Sequence, residues 1–143
     1  MAIRGVVNGV DFSAVLEPDG RRGHWLRIDS SWGINPDEDA QEDVDISFEV
    51  SPEWPEPDVP PDLARALLDA PDDVRETWAD ITPMARWEWV RWVNATANVT
   101  TRERRIVVSL SKMADGKRRP CCFDLSACTD VTVSSSGKLR QPD

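Results

Sequence analysis

Five prolines fall within the ten consecutive residues "PEWPEPDVPP" at 52–61, and they divide the chain into two parts. Proline fixes its own φ angle and has no amide hydrogen, so a segment this rich in proline forms neither a helix interior nor a central strand. We therefore predict an extended, semi-rigid connector at 52–60. The spacing of apolar residues differs on its two sides.

Residues 1–51, before the connector, carry strand patterns. Apolar residues flank Asn8-Gly9, the dipeptide that best adopts the two positive φ angles of a tight hairpin turn. "HWLRI" at 24–28 predicts a third strand, and "DVDISFEVS" at 43–51 alternates apolar and polar residues as a fourth strand with one wet face. We predict a small antiparallel β-sheet or partial barrel.

Residues 61–119, after the connector, carry helical patterns with clear end signals. Thr82 is an N-cap candidate with Pro83 at the first helical position, Thr100 or Thr101 is a second N-cap candidate, and Gly116 is a typical C-terminal glycine. The fold class is therefore predicted to be α+β, the sheet being followed by a compact domain of about four helices. Residues 120–143 are predicted to be a partly disordered tail, within which "DVTVS" can add an edge strand.

An ordered set of residues in the helical part follows the approximate pattern P-D-L-x-x-A-L, then S/T-P-x-x-R-x-E-aromatic, then T-R-x-x-R-I and a closing G-K-R. This pattern resembles the bacterial family described as bacteriocin-protection, YdeI or OmpD-associated, over roughly residues 60–119. The resemblance implies a cytoplasmic stress- or bacteriocin-protection module, and it brings no agreed reaction, cofactor or catalytic motif. The residues that carry it are Pro61, Asp62, Leu63, Ala66, Leu67, Pro71, Trp78, Thr82, Pro83, Arg86, Glu88, Trp89, Trp92, Thr101, Arg102, Arg105, Ile106, Met113, Gly116 and Lys117.

The strand patterns also fit this resemblance, since a small β-barrel often precedes the helical domain in that family. "VNGVDFSAVLEP", "HWLRI" and "DVDISFEV" resemble the second half of such a barrel. The family's earlier strands have no counterpart here, so the resemblance implies an incomplete barrel with an exposed edge. Because exposed strand edges favour pairing with another chain, we expect a homodimer that forms through the sheet edge.

Charge is distributed unevenly along the chain. The net charge is −9 overall, with −14 on residues 1–80 and +6 on residues 81–120. The basic segment either faces acidic residues of its own chain, which we favour, or binds an anionic partner. Nucleic acid is disfavoured because the acidic first part repels phosphate. The candidate binding residues are Trp87, Arg91, Arg102, Arg105, Lys117, Arg118 and Arg119.

Three tryptophans crowd into "RWEWVRWV" at 86–93. On a helix that begins near Thr82, Trp89 and Trp92 share one apolar stripe, whereas Trp87 lies on the opposite side. We therefore predict that Trp89 and Trp92 belong to the core. Trp87 either lies beneath another part of the chain or marks a contact surface.

Catalytic motifs are missing from the sequence, which contains no P-loop and no G-x-G-x-x-G, G-x-S-x-G or H-E-x-x-H pattern. The single histidine, His24, follows a predicted turn and is interpreted as a surface side chain. The acidic loop "PDEDAQEDVD" lacks the glycine and the final glutamate that a calcium loop needs. We predict a protein that is not an enzyme and needs no cofactor or metal.

Three cysteines leave one catalytic alternative open. Cys121, Cys122 and Cys128 are too few and too close for a disulfide framework, and we interpret them as reduced thiols in a cytoplasmic protein. The adjacent Arg118 and Arg119 can lower the pKa of a thiol, so a thiol-dependent enzyme is the second alternative. An anion or nucleic-acid binder is the first, and binding to an unidentified protein partner is the leading hypothesis. No apolar window reaches the ~18 residues of a membrane span.

Overall fold

The structure, a computed structural model, describes residues 1–28, 30–33, 44–120, 129–135 and 138–140. A small antiparallel sheet near the N-terminus is followed by four α-helices, so the predicted α+β class is confirmed. The chain divides into two compact units, Met1–Glu17 with His24–Pro55 and Pro18–Gly23 with Glu56–Asp143. None of the described helices is long and apolar enough to cross a membrane.

The sheet of the first unit has three strands, of which the first in sequence is central, and all neighbours are antiparallel. Asn8 and Gly9 have φ angles of 50° and 75°, so the predicted hairpin turn is present. The hairpin forms because the short turn places apolar residues of both strands on one face. The strands are β1 (Ala2–Val7), β2 (Val10–Val15) and β5 (Ile46–Val50).

The predicted third strand is shorter than expected and lies outside this sheet. Only His24–Trp25 (β4) is a strand, and it pairs with Glu17–Pro18 (β3). Asp19 shapes the turn between them because its Oδ1 accepts hydrogen bonds from the amides of Arg21 and Gly23, at 2.7 and 2.9 Å.

The apolar face of the sheet is covered unevenly. Ile3, Val7 and Phe12 are buried with Trp32, which lies in a short 3-10 helix and whose ring centroid is 4.6 Å from that of Phe12. The prediction that the alternate apolar residues of β5 share one face is met by the register. Phe48 and Val50, at the β5 side of that face, are nevertheless exposed.

Gly5 lies in the central strand opposite Phe48 of β5. A Cβ atom at position 5 would lie only 1.9 Å from the carbonyl oxygen of Ser47 and 2.7 Å from the Cα of Phe48. These are backbone atoms and cannot rotate away, so glycine is required for the close approach of the two strands.

The second unit contains four helices whose apolar faces share one core. The signals at the helix ends match their predicted roles at two positions, since the Thr82 hydroxyl accepts from the Ala85 amide at 3.2 Å and Gly116 ends the last helix with φ 80°. The helices are α1 (Pro61–Leu68), α2 (Asp72–Asp80), α3 (Pro83–Asn94) and α4 (Val99–Ala114). The buried core comprises Leu63, Leu67, Ala70, Val74, Ile81, Ala85, Trp89, Val90, Val93, Ile106 and Met113.

The N-cap of α4 differs from the prediction of Thr100 or Thr101. Asn98 is the cap, and its Oδ1 accepts from the Thr101 amide at 2.9 Å. The helix therefore begins two or three residues earlier, because an asparagine side chain satisfies the free amides of a first turn as well as threonine does.

The described parts of the C-terminal region contain two short strands. Ser134–Ser135 (β6) pairs with Lys138–Leu139 (β7), and the Leu139 amide donates to the Asp19 carbonyl at 2.8 Å. Thr129 is buried, and its hydroxyl donates to the Pro18 carbonyl at 3.2 Å. The expected "DVTVS" strand is instead a turn at residues 131–133 followed by β6.

Candidate functional site

The basic segment at 86–119 begins with an arginine that closes the end of α2. Arg86 donates from Nε to the Trp78 carbonyl and from Nη2 to the Ala79 carbonyl, both at 2.9 Å. Its Nη1 also pairs with Glu56 at 2.5 Å, and the guanidinium lies 5.9 Å from the centre of the Trp78 ring. Only 15% of the Arg86 side chain is exposed, so this charge is turned inwards.

Arg118 reaches the same helix end from the opposite end of the segment. Its Nη1 pairs with the Asp80 carboxylate at 2.6 Å and its Nη2 donates to the Asp80 carbonyl at 3.1 Å. The Arg118 carbonyl accepts from the indole Nε1 of Trp89 at 3.1 Å. Arg118 therefore joins the residues after α4 to both α2 and α3.

Arg102 and Arg105 of α4 close the end of α3 in the same way. Arg102 Nη1 donates to the Val93 carbonyl at 3.3 Å and to Asn94 Oδ1 at 3.0 Å. Arg105 Nη1 donates to the Trp92 carbonyl at 2.7 Å. The structure thus brings these two predicted site residues together at one helix end.

These four arginines share one physical task. The last carbonyls of a helix have no amide partner within the helix, and the helix dipole concentrates partial negative charge there. A guanidinium satisfies both needs because it donates several hydrogen bonds and always carries positive charge. Arg86, Arg102, Arg105 and Arg118 are therefore engaged within the helical unit, in agreement with the favoured interpretation of the basic segment.

Arg102 also holds the beginning of α1. Its Nε and Nη2 donate to the two carboxylate oxygens of Asp62, at 2.6 and 3.0 Å. The hydrogen bond from Arg102 lowers the pKa of Asp62 below its ordinary value of 3.8, and the same hydrogen bond raises the pKa of Arg102. Bidentate pairing of this kind fixes orientation as well as charge.

This ion pair predicts a specific dependence of stability on pH. Because the pKa of Asp62 is lower in the folded chain, the pair stabilises fully above the unfolded value of about 4 and is lost as pH falls through the folded value. We expect the difference in free energy of unfolding between wild type and Asp62→Asn to be constant at neutral pH and to shrink below about pH 4. Urea denaturation of both proteins from pH 7 to pH 3 measures this difference. A difference that is unchanged across the whole range would contradict the assignment.

The other predicted site residues are more dispersed. Arg119 Nε lies 3.5 Å from a Glu88 carboxylate oxygen, and Lys117 is exposed beyond the end of α4. Trp87 and Arg91 of α3 are half-buried. The seven predicted residues therefore form no single cluster around one pocket. Their role in binding stays a prediction.

The two tryptophans predicted for the core occupy different depths. Trp89 has 0% of its surface exposed and packs at the centre of the helical core. Trp92 is half-buried at the margin of that core, with Arg105 and Lys112 at 5.5 and 5.6 Å from its ring centre. These cation–π contacts give Arg105 a second interaction and engage one further basic residue of the segment, Lys112.

The residues considered for catalysis or metal binding are His24, the three cysteines and the acidic loop. His24 is exposed beside the turn, as interpreted from the sequence. Cys121, Cys122 and Cys128 lie outside the described residues, and so does most of the acidic loop at 36–45. Over the ranges that the structure describes, no group of three or more histidine, cysteine, aspartate or glutamate side chains could hold a metal ion.

A feature that the candidate residues did not include lies on the first unit. Phe48 and Val50 of β5 are 52% and 63% exposed, although both belong to the apolar face of the sheet. β5 is an edge strand, and within the described part of the chain it pairs only with β1. The alternating pattern of "DISFEV" contained the signal, but alternation indicates which residues share a face and not whether that face is covered.

The helical unit is the part of the chain that matches a known protein family. Residues 56–116 match the model of the family described as Bacteriocin-protection, YdeI or OmpD-Associated. No curated protein and no solved structure matches the chain significantly. The match covers all of α1, α2, α3 and α4, and the residues that carry the sequence pattern include Arg86, Arg102 and Arg105 at the helix ends. The helical segment of this chain is therefore similar to the domain described as Bacteriocin-protection, YdeI or OmpD-Associated.

Proposed function

We propose that the chain is a non-enzymatic binding module of the stress- or bacteriocin-protection type, which acts through protein–protein contacts in the cytoplasm. The family match supports the type of module. The observation that carries the mode of action is the open apolar edge of the sheet, where Phe48 and Val50 are more than half exposed. An edge strand with an uncovered apolar face is a surface that another polypeptide strand can extend.

The charges of the helical unit favour this surface over the basic segment. Arg86, Arg102, Arg105 and Arg118 donate to helix-end carbonyls, and three of them also pair with carboxylates of Glu56, Asp62 and Asp80. Binding a phosphate-rich ligand would require these guanidinium groups to leave satisfied partners. Nucleic-acid or anion binding therefore ranks below protein binding, and a gel-shift assay at low salt, where such binding is strongest, tests it directly.

An affinity experiment tests the proposed mode of action. The tagged chain is used to capture proteins from a lysate of its native host, which contains the untagged chain, alongside a Phe48→Ser, Val50→Ser double variant and a Leu68→Ser control. Leu68 is a matched control because it is also apolar and is 73% exposed, but it lies on α1. We expect captured protein to be lost with the β5 variant and kept with the control.

Two results would count against the proposal. One is capture that is equal for wild type and the β5 variant, because the contact would then lie elsewhere. The other is captured nucleic acid that salt releases, because the basic segment would then be the binding surface. Circular dichroism of each variant shows whether the fold is unchanged.

A further inference from the structure

We propose that the polypeptide strand that extends β5 is β5 of a second copy, paired antiparallel about a two-fold axis at Phe48. This inference rests on the proposed function, since it names the partner of the same edge. The two copies would form a continuous six-stranded sheet. Their apolar faces would lie on the same side of this sheet, because rotation about an axis perpendicular to the sheet does not turn the sheet over.

The backbone of β5 offers the required groups. The Ser51 amide donates to the Ala2 carbonyl at 2.9 Å, so Ser51 points its amide and carbonyl towards β1. In an antiparallel ladder the amide and carbonyl groups of successive residues point alternately to the two sides of the strand. The register pairs Glu49 with Arg4 and Ser47 with Val6, so the amides and carbonyls of Glu49 and Ser47 point towards β1, as those of Ser51 do. The amides and carbonyls of Ile46, Phe48 and Val50 therefore point away from β1, towards the open edge.

The side chains of β5 are complementary to themselves in this register. Phe48 lies opposite Phe48 of the second copy, and Ile46 lies opposite Val50. Each of the three residues whose backbone groups point to the open edge therefore has an apolar side chain opposite its own. On the wet face Ser47 lies opposite Glu49, which already pairs with Arg4 at 2.9 Å. No two like charges are placed opposite each other.

Neighbouring registers are worse for identifiable reasons. An axis at Glu49 places two carboxylates opposite each other, and an axis at Ser47 places Asp45 opposite Glu49. An axis at Val50 places Phe48 opposite Pro52, which has no amide hydrogen to donate. Only the axis at Phe48 uses the whole strand without a charge conflict.

The other edge of the sheet is less suitable. The Leu16 amide donates to the Met1 carbonyl at 2.8 Å, so the backbone groups of every second residue before it point towards β1. These residues are Val10, Phe12 and Ala14 of β2. The outward-pointing residues of β2 therefore include Asp11 and Ser13, and its Phe12 is buried. Two copies joined through β2 would leave Phe48 and Val50 exposed.

Disulfide trapping tests the register. In a background with the three native cysteines replaced by serine, Phe48→Cys places two thiols opposite each other in a hydrogen-bonded pair, where Cα atoms are ~5.5 Å apart and a disulfide can form. The matched control is Val50→Cys, whose two copies would be offset by four residues, or roughly 13 Å. A second positive test mixes Ile46→Cys protein with Val50→Cys protein.

We expect mild oxidation to convert most of the Phe48→Cys protein to covalent dimer and the Val50→Cys protein to at least tenfold less. The mixture of Ile46→Cys and Val50→Cys is expected to cross-link, unlike either protein alone. Cross-linking of Phe48→Cys and Val50→Cys to the same extent would overturn the register. The cysteine-free background must have the same sedimentation coefficient as wild type. This control excludes loss of the fold in the background as the reason for an absence of cross-linking.

Sedimentation of wild type separates failure of this inference from failure of the proposed function. A protein that remains monomeric at micromolar concentration, but whose β5-dependent capture of another protein persists, overturns the homodimer and leaves the binding module standing. A monomer whose capture is independent of β5 overturns both.

Discussion

Replacing Trp89 with alanine is expected to lower the free energy of unfolding by about 3–5 kcal/mol, the range for removing a large aromatic side chain from a core. Trp89 is fully buried among the residues of the helical core. Its loss also leaves the Arg118 carbonyl without the indole donor at 3.1 Å. Urea denaturation followed by circular dichroism measures the change.

Trp92→Ala is the matched comparison, since it removes the same side chain from the same helix. Trp92 is only half-buried and borders the core, so we expect a clearly smaller loss than for Trp89. Equal losses for the two variants would contradict the difference in burial. A loss below about 1 kcal/mol for Trp89→Ala would show that the helical core is organised differently.

Replacing Arg102 with alanine is expected to lower the free energy of unfolding by about 2–3 kcal/mol, since hydrogen bonds to charged groups contribute more than neutral ones. Arg102 connects the beginning of α1 to the end of α3 through Asp62, Val93 and Asn94. Its removal leaves the Asp62 carboxylate and a helix-end carbonyl without this donor. Chemical denaturation at neutral pH measures the effect.

Arg104→Ala controls for the loss of a positive charge from the same turn of α4. The Arg104 side chain is exposed, and we expect its replacement to change stability by no more than about 0.5 kcal/mol. If Arg102→Ala were as harmless as Arg104→Ala, then the guanidinium of Arg102 would have no structural task. It would then return to being a candidate for contact with a partner.

The local elements of this fold follow from short-range signals. Asn8-Gly9 specifies the hairpin because few other dipeptides adopt two positive φ angles, and Thr82-Pro83 specifies the beginning of α3 because both residues suit the first turn of a helix. These signals depend on neighbours in sequence. They therefore act in the same way whatever the rest of the chain does.

The hydrogen-bond partners of the arginines depend on tertiary structure, so the sequence predicted them only in part. The sequence favoured a basic segment that faces acidic residues of its own chain. It did not indicate that Arg86 and Arg118 reach α2 while Arg102 and Arg105 reach α3, because that depends on which helix ends meet. Charge counted along a chain does not reveal which charges face inwards.

An exposed sheet edge was expected from the family resemblance, but the exposure of the apolar side chains of β5 was not, for a related reason. Alternation places Ile46, Phe48 and Val50 on one face but does not show whether another layer covers them. The third predicted strand is shortened to His24–Trp25, so it adds no strand to the sheet that contains β5. A surface that looked like core in the sequence is therefore exposed.

The helical unit and the sheet thus have different tasks in this account. The arginines of the family pattern close helix ends and stabilise the helical unit, as Arg102 illustrates with its three partners. The proposed contact surface lies on β5. Substitutions at the helix ends are accordingly expected to act through stability, and substitutions at Phe48 are expected to act through binding.

Amide hydrogen exchange of the wild-type protein, measured at low and high protein concentration, tests this division most directly. Amides at the outer edge of β5, those of Ile46, Phe48 and Val50, should exchange more slowly at high concentration because a second strand then occupies them. Amides of residues 86–119 should exchange equally at both concentrations. Slower exchange in residues 86–119 with no change in β5 would contradict the account and place the contact surface on the basic helices.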